Sequence, residues 1–203
     1  MTRPTVYVVD DDDSVRHSLE VFLRTKDMDV RGFFSGEALL AGFKPVPPAC
    51  VVVDLRMPEM DGLALQDRLR PSGVPIIFLT GHATVTTAVK AMKNGAVTFL
   101  EKPYDPQVLL ERLHEAHALH LELAAMSARK SDLKQRYEGL TQRQKEVLLR
   151  VVEGKPNKVI AIELNLSEKT IELHRAKMMR RMGAESLPEL VKMCVLLGLG
   201  GGS

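Results

Sequence analysis

Hydrophobic residues in the first half of the chain fall into five short runs, at 5–9, 29–34, 50–54, 74–79 and 96–100. Runs of this length, rich in Val and Ile and bounded by Gly, Pro or Asp, are typical of strands buried on both faces of a parallel sheet. Helical patterns with one apolar stripe separate them. Five alternations of this kind predict a doubly wound parallel α/β sheet.

Polar side chains follow four of these runs directly. They are Asp10 and Asp11, Asp54, Thr80, and Lys102. The carboxyl ends of parallel strands share one edge, where open α/β sheets bind their ligands. Neighbouring carboxylates repel unless a cation lies between them, and oxygen ligands suit Mg²⁺. An aspartate can also be the nucleophile in phosphoryl transfer, with lysine and threonine binding the phosphoryl oxygens. The pattern therefore predicts a magnesium-dependent phosphoryl site.

Residues 5–122 resemble the receiver domain of two-component response regulators, a flavodoxin-like fold. The motifs that carry the resemblance are Val9-Asp10-Asp11, Asp54 with Met57-Pro58 and Gly62, Thr80-Gly81, Gly95-Ala96, and Glu101-Lys102-Pro103. The resemblance implies that a sensor histidine kinase phosphorylates Asp54. It further implies that Mg²⁺ is bound by Asp10, Asp11, Asp54 and the main-chain carbonyl of Arg56.

The same resemblance implies that Thr80 and Lys102 bind the phosphoryl group and that Phe99 is a switch aromatic. Plainer interpretations exist for several residues. Phe99 also suits ordinary core packing, and Asp12 suits the first turn of a helix better than a metal site. His82 is a candidate phosphohistidine, although a histidine in a loop is usually an ordinary surface residue.

The segment 105–138 contains no Gly or Pro after Pro106, and leucines recur in it at helical spacing. Two interpretations remain open. Either one helix continues beyond the receiver, as a signalling or dimer-forming coil, or the last receiver helix is followed by a flexible linker.

Four amphipathic helices are predicted after Leu140. Thr141 and Ser167 are candidate N-caps of two of them, Ser186-Leu-Pro188 begins the last, and Gly154 and Gly183 mark helix ends. A short helix from Asn157, a tight turn and a longer basic helix over 168–182 form a helix-turn-helix pattern.

The third of these helices sorts into distinct faces at 100° per residue. Its predicted core face holds Ile171, Met178 and Met182. Its outward face holds Lys169, Glu172, Leu173, Ala176, Lys177 and Arg180. Its flanks hold Thr170, His174, Arg175 and Arg181. We expect the outward face to meet a DNA major groove and the flanks to meet phosphates. A solvated charged helix is the alternative, but it explains the outward Leu173 and Ala176 less well.

Residues 140–197 resemble the LuxR-type DNA-binding domain. The matching positions are Leu140-Thr141 with Arg143, Val147-Leu148, Gly154, Asn157-Lys158, Ile160-Ala161, Leu164, Leu166-Ser167, Thr170-Ile171, His174 and Met182. Gln144 stands where Glu is usual, which would loosen only a local contact. The resemblance implies that Asn157 and Lys158 lie near the DNA backbone and that the fourth helix is a dimer contact. With the receiver, it identifies a NarL/FixJ-type response regulator. His174-Arg-Ala and Ser186-Leu-Pro188 favour the FixJ side.

Charge and cysteine content fit two domains with different partners. Residues 1–122 carry a net charge of −4 and residues 123–203 one of +6, and a basic domain suits a polyanion. Two cysteines form no disulfide framework, which favours a reducing cytoplasm. Neither a signal peptide nor a membrane span is recognisable. We expect a receiver over 1–122, a helical linker over 123–138, a DNA-binding domain over 139–198 and a disordered tail over 199–203.

The sequence thus predicts a phosphorylation-dependent transcription regulator that binds promoter DNA and forms a homodimer when active, rather than an enzyme. One alternative is a signalling adaptor or phosphate sink whose basic domain binds protein. Another is an RNA-binding antiterminator, which is disfavoured because its usual output domain lacks the motif Ser167-x-x-Thr170-Ile171-x-x-His174.

Overall fold

The computed structural model describes residues 3–81 and 84–199. The chain divides into two compact units, with the boundary between Ala125 and Met126. His82 and residues 200–203 of the expected tail lie outside the described residues. Leu199, the first residue of that tail, is ordered against the core of the second unit, and its N–H donates to the Cys194 carbonyl at 2.8 Å.

The first unit is a parallel sheet with helices on both faces. Its strands are β1 (Thr5–Val9), β2 (Asp29–Phe33), β3 (Ala49–Asp54), β4 (Ile76–Thr80) and β5 (Thr98–Glu101). Its helices are α1 (Asp13–Arg24), α2 (Gly36–Leu40), α3 (Gly62–Leu69), α4 (Val85–Lys93) and the first part of α5 (Pro106–Glu138), with a 3₁₀ turn over Arg70–Ser72. The order β2-β1-β3-β4-β5 confirms the predicted flavodoxin-like fold.

Strand β3 lies at the centre of the sheet and is buried along its whole length. Its residues alternate between two hydrophobic cores, one on each face. Val51 and Val53 pack on one side, and Cys50 and Val52 pack on the other. Burial on both faces explains why this strand is an uninterrupted apolar run up to Asp54.

The last strand begins later than the hydrophobic pattern predicts. Gly95 adopts a left-handed φ of 91°, and the Ala96 N–H bonds back to the Ala91 carbonyl at 3.1 Å. Ala96 therefore belongs to the Schellman-type end of helix α4, and β5 begins only at Thr98.

Side chains of the loop residues fix the helix starts. Ser35, Asp61 and Thr84 each accept a hydrogen bond from a backbone N–H in the first turn of α2, α3 and α4. Asp12 caps α1 in the same way, accepting from Ser14 N at 2.8 Å. The helix-terminus interpretation of Asp12 is thus the one that matches its contacts.

Helix α5 runs without interruption from Pro106 to Glu138. Leu109, Leu113 and Ala116 are buried in the receiver core, whereas Leu133 is buried in the core of the second unit. Of the two interpretations of this segment, the continuous helix is the one observed. Residues 126–138 of the expected linker belong to the second unit.

The second unit adds helices α6 (Gln142–Val152), α7 (Asn157–Leu164), α8 (Glu168–Met182) and α9 (Leu187–Leu196). Thr141 and Gln144 form a capping box at the start of α6: Thr141 N donates to Gln144 Oε1 at 2.9 Å. Glutamine therefore completes the capping box at this position. Ile171, Met178 and Met182 are fully buried, as the periodicity of α8 predicts.

Both cysteines, Cys50 and Cys194, are buried free thiols. Burial raises the pKa of the Cys50 thiol far above its usual value, so this sulfur stays protonated and unreactive. In the described part of the chain, no helix has both the length and the hydropathy needed to cross a membrane.

Candidate functional site

Lys102 joins two buried carboxylates at the carboxyl edge of the sheet. Its Nζ atom lies 2.8 Å from Asp10 Oδ2 and 3.0 Å from Asp54 Oδ1. The two carboxylate side chains are only 4% and 11% exposed. Asp10 follows β1 and Asp54 is the last residue of β3, the neighbouring strand in the sheet; Lys102 reaches both from the end of β5. The structure thus brings together three of the residues that the sequence assigned to one site.

The charges at this edge of the sheet are only partly balanced. Burial raises the pKa of Asp10, and the hydrogen bonds from Lys102 and from the Asp12 N–H offset only part of that effect. Burial also opposes the charged form of Lys102, but its hydrogen bonds to Asp10 and Asp54 outweigh burial and raise the pKa of the ammonium. Lys102 therefore stays protonated while Asp10 remains short of compensating positive charge.

The second oxygen of Asp54 is held by the chain that follows it. Arg56 N donates to Asp54 Oδ2 at 2.7 Å, and Gly62 N donates to the Leu55 carbonyl at 2.9 Å. A Cβ atom at Gly62 would lie 2.6 Å from the Asp54 carbonyl oxygen and 2.9 Å from the Phe78 ring. The loop after Asp54 thus passes so close to β3 that only glycine fits at position 62.

The acidic loop after β1 supplies oxygen ligands that suit a hard cation. Asp10 is buried and Asp11 is exposed beside it. Among the residues that the structure describes, no three acidic, histidine or cysteine side chains already surround one point. Mg²⁺ commonly keeps several waters and uses only one or two carboxylates. The donor chemistry and the unbalanced charge at Asp10 therefore fit Mg²⁺.

The two remaining residues of the predicted switch lie on neighbouring strands. Thr80 is buried at the end of β4 and is paired in register with Glu101 of β5. Phe99 is half-buried, and its ring centroid lies 6.1 Å from that of Phe78. The structure thus places Thr80 at the same sheet edge as Lys102, and Phe99 two residues before the end of β5.

Helix α8 presents its polar face to solvent, as predicted. Of the residues predicted on its outward face and flanks, the exposed ones are Lys169, Glu172, Leu173, Ala176, Lys177, Arg180 and Arg181. The half-buried ones are Thr170, His174 and Arg175. An exposed surface that combines four cations with Leu173, which is 53% exposed, suits phosphates and thymine methyl groups better than it suits uniform solvation.

Two further candidates lie at the start of α7. Asn157 is half-buried, and its Oδ1 accepts a hydrogen bond from Arg175 Nη1 at 3.1 Å. Lys158 is exposed next to it. This hydrogen bond joins the first turn of α7 to α8, the two helices of the helix-turn-helix pattern.

Two family models match the two units. The model of the response regulator receiver domain matches residues 6–114. The model of the luxR family of bacterial regulatory proteins matches residues 138–194. The chain belongs to the response regulators. Its receiver unit is followed by a LuxR-type unit, as the sequence motifs indicated.

Full-length relatives support this assignment. This response regulator is 42% identical over 204 residues to the transcriptional regulatory protein FixJ of Rhizobium meliloti, covering 98% of this chain and 99% of the relative. It is 38% identical over 190 residues to the response regulator protein TodT of Pseudomonas putida, covering 93% and 84%. The solved structure of response regulator StyR matches with a TM-score of 0.81 and 37% identity, covering 96% and 99%.

The sequence patterns gave no role to Arg16, His117 or His120. Arg16 donates to the Asp10 carbonyl at 2.8 Å, and both histidines bond to backbone atoms of the sheet. One signal for Arg16 was present: a cation in the opening turns of a helix opposes the helix dipole, which indicates another partner. For the histidines, the sequence signal is that both fall on the apolar stripe of α5, where a polar residue needs a hydrogen-bond partner.

Proposed function

We propose that this response regulator accepts a phosphoryl group on Asp54 from a sensor histidine kinase and thereby controls its binding to promoter DNA. The observation that carries the proposal is the position of Asp54 at the carboxyl end of the central strand. There its carboxylate is tied to a protonated Lys102 and held at its other oxygen by Arg56 N. A carboxylate presented in one orientation beside a cation is arranged for attack on phosphorus.

Asp10, Asp11, Asp54 and the main-chain carbonyl of Arg56 are the proposed holders of Mg²⁺. When bound, the ion supplies positive charge that offsets the charge of the phosphoryl oxygens. The raised pKa of Asp10 supports this assignment, because a cation would relieve the cost of its buried charge. Asp54 is the only substrate of this chemistry in the proposal, so the protein is a regulator and not an enzyme that acts on other molecules.

Lys102 and Thr80 are the proposed ligands of the phosphoryl group. Lys102 Nζ already lies 3.0 Å from Asp54 Oδ1, so it contributes charge without a large movement. Thr80 contributes a hydroxyl hydrogen bond from the end of β4. Phe99 responds as the switch aromatic, since it packs on Phe78 of the neighbouring strand. Phosphorylation can shift the equilibrium between an inactive and an active conformation only by the free energy with which it stabilises the active one.

The exposed face of α8 is the proposed reader of DNA, with its flanks and the start of α7 on the phosphates. Exposure of its cations and of Leu173 supports this. The active form is proposed to be a homodimer on a two-fold site, with helix α9 as a dimer contact. The buried free thiols Cys50 and Cys194 support a reducing cytoplasm as its location.

Phosphorylation is tested by intact-mass measurement after treatment with acetyl phosphate and Mg²⁺. Wild type should gain one phosphoryl group, and Asp54→Ala should gain none. Asp67→Asn, which changes an exposed carboxylate of α3, should behave as wild type. Phosphorylation of Asp54→Ala to the wild-type extent would overturn the assignment.

The output is tested by light scattering with beryllofluoride and Mg²⁺, on wild type and on Asp54→Ala. We expect the mimic to convert wild type to a dimer and to leave the variant unchanged. A wild type that is dimeric throughout would show that activation reorients the DNA-binding units and does not act through dimerisation.

DNA binding is tested by charge reversal of Lys169 and Lys177 to Glu. Because DNA is a polyanion, the reversal should weaken DNA binding and make the affinity fall less steeply as salt is added. An unchanged affinity and salt slope would favour a basic domain that binds protein.

A further inference from the structure

The guanidinium group of Arg16 lies behind the acidic loop that follows β1. Its Nη1 atom donates to the Asp10 carbonyl oxygen at 2.8 Å, and its Nη2 atom pairs with the Asp13 carboxylate. The Arg16 side chain is 18% exposed. The bond to the Asp10 carbonyl is therefore partly shielded from water, where charge-assisted hydrogen bonds are stronger. The Asp13 carboxylate is 86% exposed, so the pairing with it contributes little.

The carbonyl that Arg16 binds belongs to the peptide group between Asp10 and Asp11. Because a peptide group is planar, fixing its carbonyl direction restricts both ψ of Asp10 and φ of Asp11. These two angles set the direction of the Asp10 and Asp11 side chains relative to each other. Arg16 thus controls the geometry of the acidic pair without touching either carboxylate.

The surroundings keep Arg16 in this position. A Cβ atom on Gly32 of strand β2 would lie 3.1 Å from Arg16 Cδ and 1.8 Å from Glu20 Oε1. The absence of a side chain at Gly32 therefore leaves the space that the stem of Arg16 occupies. On the other side of the loop, Asp10 Oδ1 accepts from Asp12 N at 3.0 Å, so the loop is held from both sides.

We propose that Arg16 is a positioning residue that holds the Asp10–Asp11 peptide so that both carboxylates point towards one divalent cation. The inference rests on the proposed function, in which these carboxylates bind Mg²⁺. It makes a prediction with a definite sign. A cation near two carboxylates weakens the binding of a second cation by repulsion. If charge alone mattered, removing Arg16 would strengthen Mg²⁺ binding. If position matters more, removing it weakens Mg²⁺ binding.

The test is titration of the full chain with Mg²⁺ by isothermal calorimetry, alongside thermal unfolding by circular dichroism. Arg16→Met should weaken Mg²⁺ binding by about tenfold or more, the usual effect of losing a residue that orients metal ligands. Arg16→Lys keeps the charge and one donor, and it should recover part of the loss. The matched control is Arg24→Met. Arg24 lies on the same helix and also bonds a backbone carbonyl, that of Val30, and a carboxylate, that of Glu20; its removal should leave Mg²⁺ affinity unchanged.

The outcomes separate this inference from the proposed function. If wild type binds Mg²⁺ saturably and a folded Arg16→Met binds it as tightly as wild type or more tightly, the positioning role is overturned and the metal assignment stands. Absence of saturable binding by wild type overturns the metal assignment and this inference with it. If Arg16→Met does not fold, Arg16→Lys decides the question, since wild-type affinity there would show that the guanidinium fork is not needed.

Discussion

Gly62 lies against the backbone of the proposed phosphoacceptor, Asp54. A methyl group there would lie within 3 Å of the Asp54 carbonyl oxygen and of the Phe78 ring, and neither a central strand nor a buried ring yields easily. We expect Gly62→Ala to lower the free energy of unfolding of the receiver by about 2–3 kcal/mol and to slow phosphorylation of Asp54. Urea denaturation and intact-mass time courses measure the two effects.

Gly42 offers a control for this substitution. A Cβ atom there would meet nothing within 4 Å, so Gly42→Ala should change neither quantity. Wild-type stability in Gly62→Ala would mean that the loop after Asp54 can move away from β3 without cost.

Lys102 is the counter-charge of two carboxylates, which leads to a prediction about Mg²⁺. Lys102→Met leaves Asp10 and Asp54 facing each other without a cation. It should cost about 2 kcal/mol, less than for a fully buried pair because the lysine side chain is 24% exposed. Added Mg²⁺ should then raise the melting temperature of the variant more than that of wild type, because the ion supplies the missing charge.

Lys134→Met is the control for that comparison, since the Lys134 side chain is 70% exposed and pairs with Glu138 only at 3.8 Å. It should leave both the stability and the response to Mg²⁺ as in wild type. If Mg²⁺ raised the melting temperature of wild type and of Lys102→Met equally, the ion would not be supplying the charge that Lys102 provides to Asp10 and Asp54.

Helix α5 is attached to the sheet by two buried histidines. His117 Nε2 lies 3.3 Å from the Thr5 carbonyl oxygen, while its Nδ1 is buried without a hydrogen-bond partner. His120 Nδ1 lies 3.0 Å from both the backbone nitrogen and the carbonyl oxygen of Ala49. Burial lowers the pKa of both rings; His114 and His120 lower that of His117 further, and the backbone partners on β1 and β3 offset part of each effect. The folded receiver therefore favours neutral histidines.

This preference makes receiver stability depend on pH with a definite sign. The unfolded chain takes up protons on these rings near pH 6.5, but the folded chain does so only at lower pH. The stabilisation is complete above about pH 6.5 and is lost as the pH falls below it. We expect the melting temperature of wild type to fall more steeply between pH 7 and pH 5.5 than that of a His117→Gln, His120→Asn double variant.

The two amides in that variant keep a neutral hydrogen-bonding group near each ring nitrogen but do not titrate. His17→Asn, at an exposed position of α1, is the control and should retain the wild-type slope. Parallel pH profiles for wild type and the double variant would exclude the histidines as the cause.

The elements themselves could be predicted because their signals are local. The five apolar runs, the caps at Thr141 and Ser167, and the three buried residues of α8 follow from spacing along the chain. Even the shared sheet edge of Asp54 and Lys102 follows from the rule for parallel strands. Boundaries depend on backbone contacts that spacing does not show, as at β5, where Ala96 bonds back to the Ala91 carbonyl and ends a helix.

Contacts between distant segments could not be predicted in the same way. Periodicity shows that α5 has an apolar face, but it does not show that His120 meets Ala49, 71 residues away in sequence. Likewise the sequence placed Lys102 on the phosphoryl group but did not show that it joins Asp10 to Asp54. Such contacts depend on how whole elements pack, which a single sequence does not specify residue by residue.

The division of the molecule into two units falls inside helix α5, and this affects how the DNA-binding unit is defined. Leu133 is 3% exposed in the core of the helical unit, and Tyr137 packs against the same core. Arg136 Nη1 donates to the Met182 carbonyl at 3.0 Å, which satisfies a carbonyl at the C-terminal end of α8 where a positive charge is favourable. The last turns of α5 thus complete the fold that carries the proposed DNA-reading helix.

A fragment of residues 126–203 should therefore unfold cooperatively, whereas a fragment of residues 139–203 should be less stable by about 3 kcal/mol or more. Burial of Leu133 alone is worth about 1.5–3 kcal/mol, and the short fragment also loses Tyr137 and Arg136. Thermal unfolding by circular dichroism measures the difference. Within the longer fragment, Leu133→Ala should be strongly destabilising, and Leu173→Ala, at a 53% exposed position of α8, should not. Equal stability of the two fragments would show that residues 126–138 do not stabilise the helical unit and serve as a linker.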